Sequence, residues 1–161
     1  QHGQLHAGGS LMLGYIGEPD IADATLATGD VGEVDADGFV WVRGRRDNLI
    51  ITGLGRNVSP EWLESLLHES PSVGETVVLP DQHGGLRAVI WPAANAADAA
   101  VDAAVAKTNQ QLPDYARLQG WIRACRPLDA ASGLATPSGK ALRAAIAAAH
   151  TQPETLHETP A

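Results

Sequence analysis

The chain has 161 residues and a formal net charge of −8, and this acidic balance argues against nucleic-acid binding, which needs basic surfaces. The single cysteine, Cys125, excludes an internal disulfide framework and predicts a cytoplasmic location, since free thiols are typical of a reducing compartment. Seventeen glycines and ten prolines favour a turn-rich α+β fold, and no apolar run approaches the roughly 20 residues of a transmembrane segment.

The first part of the chain is predicted to be rich in β-structure. A turn-forming segment at 35–38, Asp-Ala-Asp-Gly, separates two stretches of alternating polarity, 31–35 and 39–43, and this pattern predicts a β-hairpin. Two shorter strands are predicted over 49–52 and 56–58, because a glycine-containing turn follows the apolar run at 49–52.

The rest of the chain alternates between helices and strands. Ser59 is the predicted N-cap of a first helix and Pro60 its first residue, because serine and proline favour these two positions. Four residues of this helix are predicted to be buried: Trp62, Leu63, Leu66 and Leu67. The remaining predicted elements are strands over 73–79, 86–91 and 121–125 and helices over 96–111 and 141–149.

A domain boundary is predicted at Asp47, because a polar junction separates the β-rich segment from the mixed one. Residues 1–46 are expected to be the end of one domain, and residues 47–149 a compact α+β domain. The last segment, 150–161, is polar and contains proline, which predicts a disordered tail.

Four motifs carry the chemistry of this sequence. They are Thr-Gly-Asp at 28–30, Gly-Arg-Arg-Asp at 44–47, the glycine-containing strand, turn and helix at 50–64, and Thr-Pro-Ser-Gly-Lys at 136–140. Together and in this order they resemble the C-terminal part of adenylate-forming enzymes, the superfamily of acyl-CoA synthetases, adenylation domains and luciferases. The resemblance implies a mobile C-terminal lid with a small antiparallel sheet and flanking helices, preceded by the β-rich end of a large AMP-binding domain.

The resemblance also implies that this chain needs a partner. The family's phosphate loop, adenine site and acyl pocket lie on the upstream AMP-binding domain, so the chain alone is expected to be inactive. The absence of an initiator methionine before Gln1 is a second reason to expect that the chain starts inside a longer protein.

The candidate nucleotide-binding residues are Thr28, Asp30, Arg45 and Arg56. A carboxylate such as that of Asp30 can accept hydrogen bonds from two neighbouring ribose hydroxyls. The resemblance assigns Arg45 to the same hydroxyls, while Thr28 supports the turn. Arg56 could reach a phosphate of AMP or CoA, and its residue type is equally compatible with a solvated charge at a strand end.

Lys140 is the candidate catalytic residue. A flexible cation on a Pro-Ser-Gly loop can approach a carboxylate and an α-phosphate together, where negative charge accumulates during adenylation. The resemblance also assigns Asp47 to the hinge about which the lid turns, and Gly53 and Gly55 to a loop that lines the passage of the thiol. The two glycines are as compatible with an ordinary tight turn. Arg143 is expected to be a charge on a helix surface.

These residues predict an ATP-dependent acid–thiol ligase that activates a carboxylic acid as acyl-AMP with Mg²⁺ and transfers it to CoA. The spacing from the Gly-Arg-Arg-Asp motif to the helix at Pro60 is similar to that of long-chain fatty acyl-CoA synthetases, with the departure that Leu54 replaces a usual glycine. One alternative is an adenylation domain or acyl-AMP ligase that loads an acyl carrier protein. Another is a non-catalytic module that only contacts a partner chain.

No metal site is predicted within the chain. The six histidines, at 2, 6, 68, 83, 150 and 157, have no metal-ligand spacing, and solvated positions are expected for them. No nucleophile elbow and no Cys/His pair indicates nucleophilic catalysis.

Overall fold

The structure is a computed structural model that describes residues 3–14, 16–17, 25–150 and 156–158. The chain divides into two compact units, Gln1–Leu49 and Ile50–Ala161. Helices and small sheets are both present, and the predicted α+β class is confirmed.

The first unit contains a three-stranded antiparallel sheet in the order β1-β2-β3. Its strands are β1 Gly3–Gly8, β2 Thr25–Val34 and β3 Val40–Arg45. The predicted hairpin is confirmed, and Asp35 stabilises its turn. The carboxylate accepts hydrogen bonds from Trp41 Nε1 at 2.8 Å and from the backbone N–H groups of Asp37 and Phe39 at 3.0 and 2.9 Å. These bonds lower the pKa of Asp35, and the bond from Trp41 makes the largest contribution.

In its described residues, the second unit contains three α-helices and two sheets. Its elements are β4 Ile50–Ile51, β5 Asn57–Val58, α1 Pro60–His68, β6 Val73–Pro80, β7 Leu86–Pro92, α2 Asp98–Gln111, β8 Leu118–Arg123, α3 Arg143–Ala149 and β9 Leu156–Glu158. Strands β4 and β5 pair with each other, and the main sheet has the order β6-β7-β8-β9. It is mixed rather than purely antiparallel, because α2 is a crossover that returns the chain to a parallel β7–β8 pair. Within the described part of the chain, no helix is long and apolar enough to cross a membrane.

The main sheet has a separate apolar cluster on each face, since successive strand residues point to opposite sides. On β6, Val78 belongs to the cluster that packs with α1 and α2. Its neighbours Val77 and Leu79 belong to the cluster that packs with Ile146 of α3. On the alanine-rich helix α2, Val101 and Val105 are buried, and so is Leu112, its C-cap.

Three sequence predictions need correction. Trp62 is exposed on α1, because Leu63 and Leu67, four residues apart, occupy the face that points to the core. Helix α3 begins at Arg143, two residues later than predicted, because Leu142 is its N-cap. Strand β8 begins at Leu118, three residues earlier than predicted.

The prediction of a disordered tail over 150–161 is wrong where the structure describes that segment. His150 ends α3 and is buried, and Leu156–Glu158 forms strand β9 on the edge of β8. The ring of His157 stacks on Trp121 with 4.3 Å between centroids, which adds an aromatic contact to the strand pairing. Residues 151–155 and 159–161, like His2, lie outside the described residues.

Candidate functional site

The structure brings together three of the candidate nucleotide-binding residues in the first unit. Arg45 Nε lies 3.1 Å from Asp30 Oδ1, and Arg45 Nη1 donates to the carbonyl of Thr28 at 3.0 Å. Asp30 and Arg45 are register partners on β2 and β3, so the strand pairing itself places the two side chains together. The Thr28 hydroxyl accepts from the backbone N–H of Asp30 at 3.1 Å and donates to the carbonyl of Leu5 at 3.0 Å.

Gly29 permits this close arrangement. Its φ is +79°, a value that residues with a side chain rarely adopt, and an added Cβ would lie 3.2 Å from Arg45 Nη1. The result is a carboxylate and a guanidinium side by side, both partly accessible, on adjacent strands. Such a pair offers acceptors and donors together, as a ribose diol requires.

Asp47, the candidate hinge residue, lies in a single 3-10 turn, Arg46–Asn48, at the end of the first unit. Its side chain is 81% exposed, and its carboxylate lies 3.3 Å from Arg46 Nε. Arg46 also donates to the side-chain oxygen of Gln4 at 3.0 Å. An exposed pair of this kind contributes little to stability, so it does not by itself fix the conformation at Asp47.

Gly53 and Gly55 lie in the turn that joins β4 and β5 in the second unit. The N–H of Gly55 donates to the carbonyl of Thr52 at 2.8 Å, and the N–H of Gly53 donates to the carbonyl of Gly84 at 2.7 Å. The latter bond ties the turn to the β6–β7 hairpin. Arg56 follows the turn, with its guanidinium carbon 5.9 Å from the centroid of the Tyr115 ring. This distance is within the range of a cation–π contact.

Lys140 lies on an exposed loop with a well-defined backbone. The N–H of Thr136 donates to the carbonyl of Lys140 at 2.8 Å, and the N–H of Lys140 donates to the Thr136 hydroxyl at 3.0 Å. An isolated bridge between Ala135 and Ala141 closes the base of this loop. The backbone of Lys140 is therefore held from both sides while its side chain extends into solvent.

Arg143 was expected to be a solvated surface charge, and this expectation is wrong. Its side chain is only 24% exposed, and it forms ion pairs with Glu64 at 2.7 Å and Glu61 at 3.4 Å. Burial alone would lower the pKa of Arg143, but hydrogen bonds and charges from Glu64 and Glu61 outweigh burial and raise it. A Glu-x-x-Glu spacing on the predicted first helix was the available signal, but no pattern along the chain pairs it with position 143.

The expectation of solvated histidines is wrong for His150. Its Nδ1 lies 2.9 Å from the carbonyl of Ile146, so Nδ1 must carry the proton, and Nε2 accepts from the backbone N–H of Cys125 at 3.2 Å. The Cys125 sulfur also lies 3.5 Å from Nε2, a contact between residues 25 positions apart that sequence spacing did not predict. Across the described ranges, no group of three or more His, Cys, Asp or Glu side chains is arranged to hold a metal ion.

Known proteins resemble this chain both in sequence and in fold. No protein-family model matches the chain. The chain is 38% identical over 86 residues to the 2-methylpropanoate–CoA ligase CCL4 of Humulus lupulus, covering 48% of this chain and 15% of the relative. It is 40% identical over 68 residues to the long-chain-fatty-acid–CoA ligase FadD15 of Mycobacterium tuberculosis, covering 42% of this chain and 11% of the relative.

The fold matches the O-succinylbenzoate–CoA synthetase MenE of Bacillus subtilis in complex with AMP. The TM-score is 0.70 and the identity 24%, and the match covers 100% of this chain and 32% of that one. The chain thus spans less than a third of the length of each of these three proteins. The sequence matches confirm the resemblance to CoA ligases that the four motifs indicated, and the structural match confirms the fold.

Proposed function

We propose that this chain, which resembles adenylate-forming CoA ligases in sequence and fold, is the part of an ATP-dependent acid–thiol ligase that contributes Lys140 to catalysis. The observation that carries the proposal is the Lys140 loop, which presents an exposed ammonium from a backbone fixed by its own hydrogen bonds. In the first half-reaction, a carboxylate oxygen attacks the α-phosphorus of ATP and pyrophosphate leaves. In the second, a thiol sulfur attacks the acyl carbon and AMP leaves.

Lys140 has the properties that the first half-reaction requires. Negative charge moves from the attacking carboxylate towards the leaving pyrophosphate, and a compact point charge on a flexible stem can follow it. An ammonium in a site from which water is excluded stabilises this charge far more than it would in bulk water. We place Lys140 against the substrate carboxylate and the α-phosphate when the lid is closed on an AMP-binding domain.

The paired side chains of Asp30 and Arg45 suit the nucleotide ribose. Asp30 would accept hydrogen bonds from the two ribose hydroxyls, and Arg45 would hold the carboxylate and donate to the same hydroxyls. Thr28 keeps the turn in place through its bonds to Asp30 and Leu5. Holding the ribose fixes the α-phosphate relative to the acid, which lowers the entropic part of the barrier.

Magnesium would bind to the triphosphate of ATP and reach the site together with the nucleotide. The described residues contain no cluster of potential ligands, and Mg²⁺ is commonly bound through substrate phosphates and a few carboxylates. When bound, it neutralises charge on the phosphates.

We further propose CoA as the thiol acceptor and a fatty acid as the acyl substrate. The turn around Gly53 and Gly55 is exposed and has no bulky side chain at either position, so an extended pantetheine arm could pass along its backbone. Arg56, beside Tyr115, would meet a phosphate of AMP or CoA. The fatty acid rests on the motif spacing and on the similarity to FadD15.

The proposal is tested by separating the half-reactions in the complete enzyme. We expect Lys140→Ala to lower acyl-adenylate formation by about 100- to 1,000-fold, as removal of one charge-stabilising donor does elsewhere. Thioester formation from supplied acyl-AMP should fall much less. Lys107→Ala, which removes an exposed lysine of α2, is the matched control and should leave both steps unchanged.

Pyrophosphate release and thioester yield are the two readouts. Equal losses in both steps for Lys140→Ala would refute the assignment of Lys140 to adenylation. If the wild-type enzyme forms acyl-AMP but transfers it to a carrier protein and not to CoA, the proposed acceptor is wrong. If it forms no acyl-AMP from any acid of a fatty-acid series, the proposed substrate class is wrong.

A further inference from the structure

We infer that Arg143 is a positioning residue for Lys140, fixing the lysine-bearing loop to α1 and to the edge of the main sheet. The inference rests on the proposed function, because it concerns the same lysine. Arg143 is the first residue of α3, and it follows Lys140 by three positions. Three residues of extended chain span only about 10 Å, so an anchor at Arg143 restricts where Lys140 can lie.

Arg143 forms a bidentate ion pair with Glu64. Its Nη1 donates to Glu64 Oε1 at 2.7 Å, and its Nη2 donates to Glu64 Oε2 at 3.0 Å. Glu61, one turn earlier on α1, receives a weaker bond from Nη2 at 3.4 Å. Bidentate arginine–carboxylate pairs fix orientation as well as distance, and this pair joins the start of α3 to α1.

The same two side chains also satisfy the open edge of the sheet at Val78. Its backbone N–H donates to Glu64 Oε1 at 2.7 Å, and its carbonyl accepts from Arg143 Nη1 at 3.0 Å. Among the described strands, β6 lies at the edge of the main sheet, so on this side Val78 has no neighbouring described strand to supply these partners. Arg143 and Glu64 therefore occupy positions that a further strand would otherwise take, and they connect α1, α3 and β6.

The constraint reaches Lys140 through the base of its loop. The N–H of Leu142 donates to the carbonyl of Leu134 at 2.8 Å, next to the bridge between Ala135 and Ala141. Leu134 is itself buried in the cluster that packs α3 on the sheet. The loop is thus held at its base by backbone bonds, and the start of α3 is held by Arg143.

The position specifically requires arginine. Arg143 donates to four oxygens, and only a planar fork can meet both oxygens of Glu64 while also reaching the Val78 carbonyl. A lysine at this position would keep the charge but lose the fixed geometry. A methionine would keep most of the aliphatic stem and lose the charge and every hydrogen bond.

The experiment compares variants of the complete enzyme in the two half-reactions. Misplacement of a catalytic group by about 1 Å can cost up to about 100-fold in rate, so we expect Arg143→Met to lower adenylate formation roughly 10- to 100-fold. Thioester formation from supplied acyl-AMP should fall much less, as for Lys140→Ala. Arg143→Lys should recover part of the adenylation rate, because it restores the charge without the fork.

The matched control is Arg123→Met. Arg123 of β8 is bonded through Nε to Asp98 of α2 at 2.9 Å, which makes it another partly buried arginine–carboxylate pair that joins a helix to the sheet. We expect this variant to lower thermal stability without a selective loss of adenylation. The folded fraction of each variant, measured by circular dichroism at the assay temperature, corrects both rates for unfolding.

Each outcome supports or overturns the inference. Selective loss of adenylation in folded Arg143→Met, with partial rescue by lysine, supports it. Loss of both steps in proportion to the unfolded fraction, or a selective loss equally large in Arg123→Met, overturns it. If Lys140→Ala shows the selective loss and Arg143→Met does not, the positioning role fails alone. If neither variant shows it, the proposed function fails as well.

Discussion

The contact between Gly53 and Gly84 leads to a quantitative prediction for stability. Gly84 has a φ of +78°, and a Cβ built on it would lie 2.8 Å from the Cα and 2.9 Å from the backbone nitrogen of Gly53. Both obstacles are backbone atoms, so no side-chain movement can relieve the clash. Gly84→Ala should therefore push the β4–β5 turn away from the β6–β7 hairpin.

Two costs contribute to the expected loss. A residue with a side chain in the left-handed region costs about 1–2 kcal/mol relative to glycine. Separation of the turn from the hairpin also breaks the 2.7 Å bond from the Gly53 N–H to the Gly84 carbonyl, and a typical hydrogen bond contributes about 0.5–1.5 kcal/mol. The free energy of unfolding of the second unit should fall by roughly 1.5–3.5 kcal/mol.

Comparison with Gly133→Ala separates the cost of the Gly53 contact from the conformational cost of an alanine at positive φ. Gly133 has a φ of +75°, close to that of Gly84, but apart from its own chain neighbours no described residue has an atom within 4 Å of a Cβ built on it. This variant should lose only the conformational term. Urea unfolding of the 161-residue chain, followed by tryptophan fluorescence and by NMR signals of the second unit, gives both values. If Gly84→Ala is no more destabilising than Gly133→Ala, the reasoning from the Gly53 contact is refuted.

Two further predictions concern the first unit. The pKa of Asp35 is lowered, so the stability that its carboxylate gives the hairpin is present above the unfolded pKa of about 3.9 and is lost as the pH falls through the lower folded value. The Trp41 indole N–H signal should shift in that acidic window, and a shift centred above the unfolded pKa of about 3.9 would contradict the assignment. In the complete enzyme, Asp47→Pro should retain one half-reaction and lose the other, because proline fixes φ at about −65°. The control, Asp47→Ala, should retain both half-reactions. Full turnover of the proline variant would place the hinge elsewhere.

The elements that the sequence predicted are those with local signals. Ser59 and Pro60 mark the start of α1 because the preferences of these residue types act at single positions. The Ser59 hydroxyl does not cap the backbone, however, but donates to Glu61 at 2.9 Å. The hairpin at 35–38 follows in the same way from turn residues between alternating stretches.

The features that the sequence did not predict depend on contacts between distant positions. Arg143 meets Glu64 across 79 positions, and Cys125 meets His150 across 25. Strand β9 exists because the edge of β8 is open to it, which depends on the order of strands in the sheet. Periodicity and spacing describe one segment at a time, so they cannot identify the partner that buries a charged or polar side chain.

The residues that the motifs identify, such as Lys140, Gly53 and Gly55, are exposed, whereas the groups that place their loops lie in other elements. Gly84 holds the turn at Gly53, and the pair of Arg143 with Glu64 holds the start of α3 beside Lys140. In the proposed ligase, the second unit would present different loops to its partner domain in the two half-reactions. Each loop would then need to keep its shape while the whole unit moves, since a loop that reorganised would lose the alignment gained on closure. Selection for catalysis should therefore act on Glu64 and Arg143 as well as on the lysine, although neither is expected to touch the substrate.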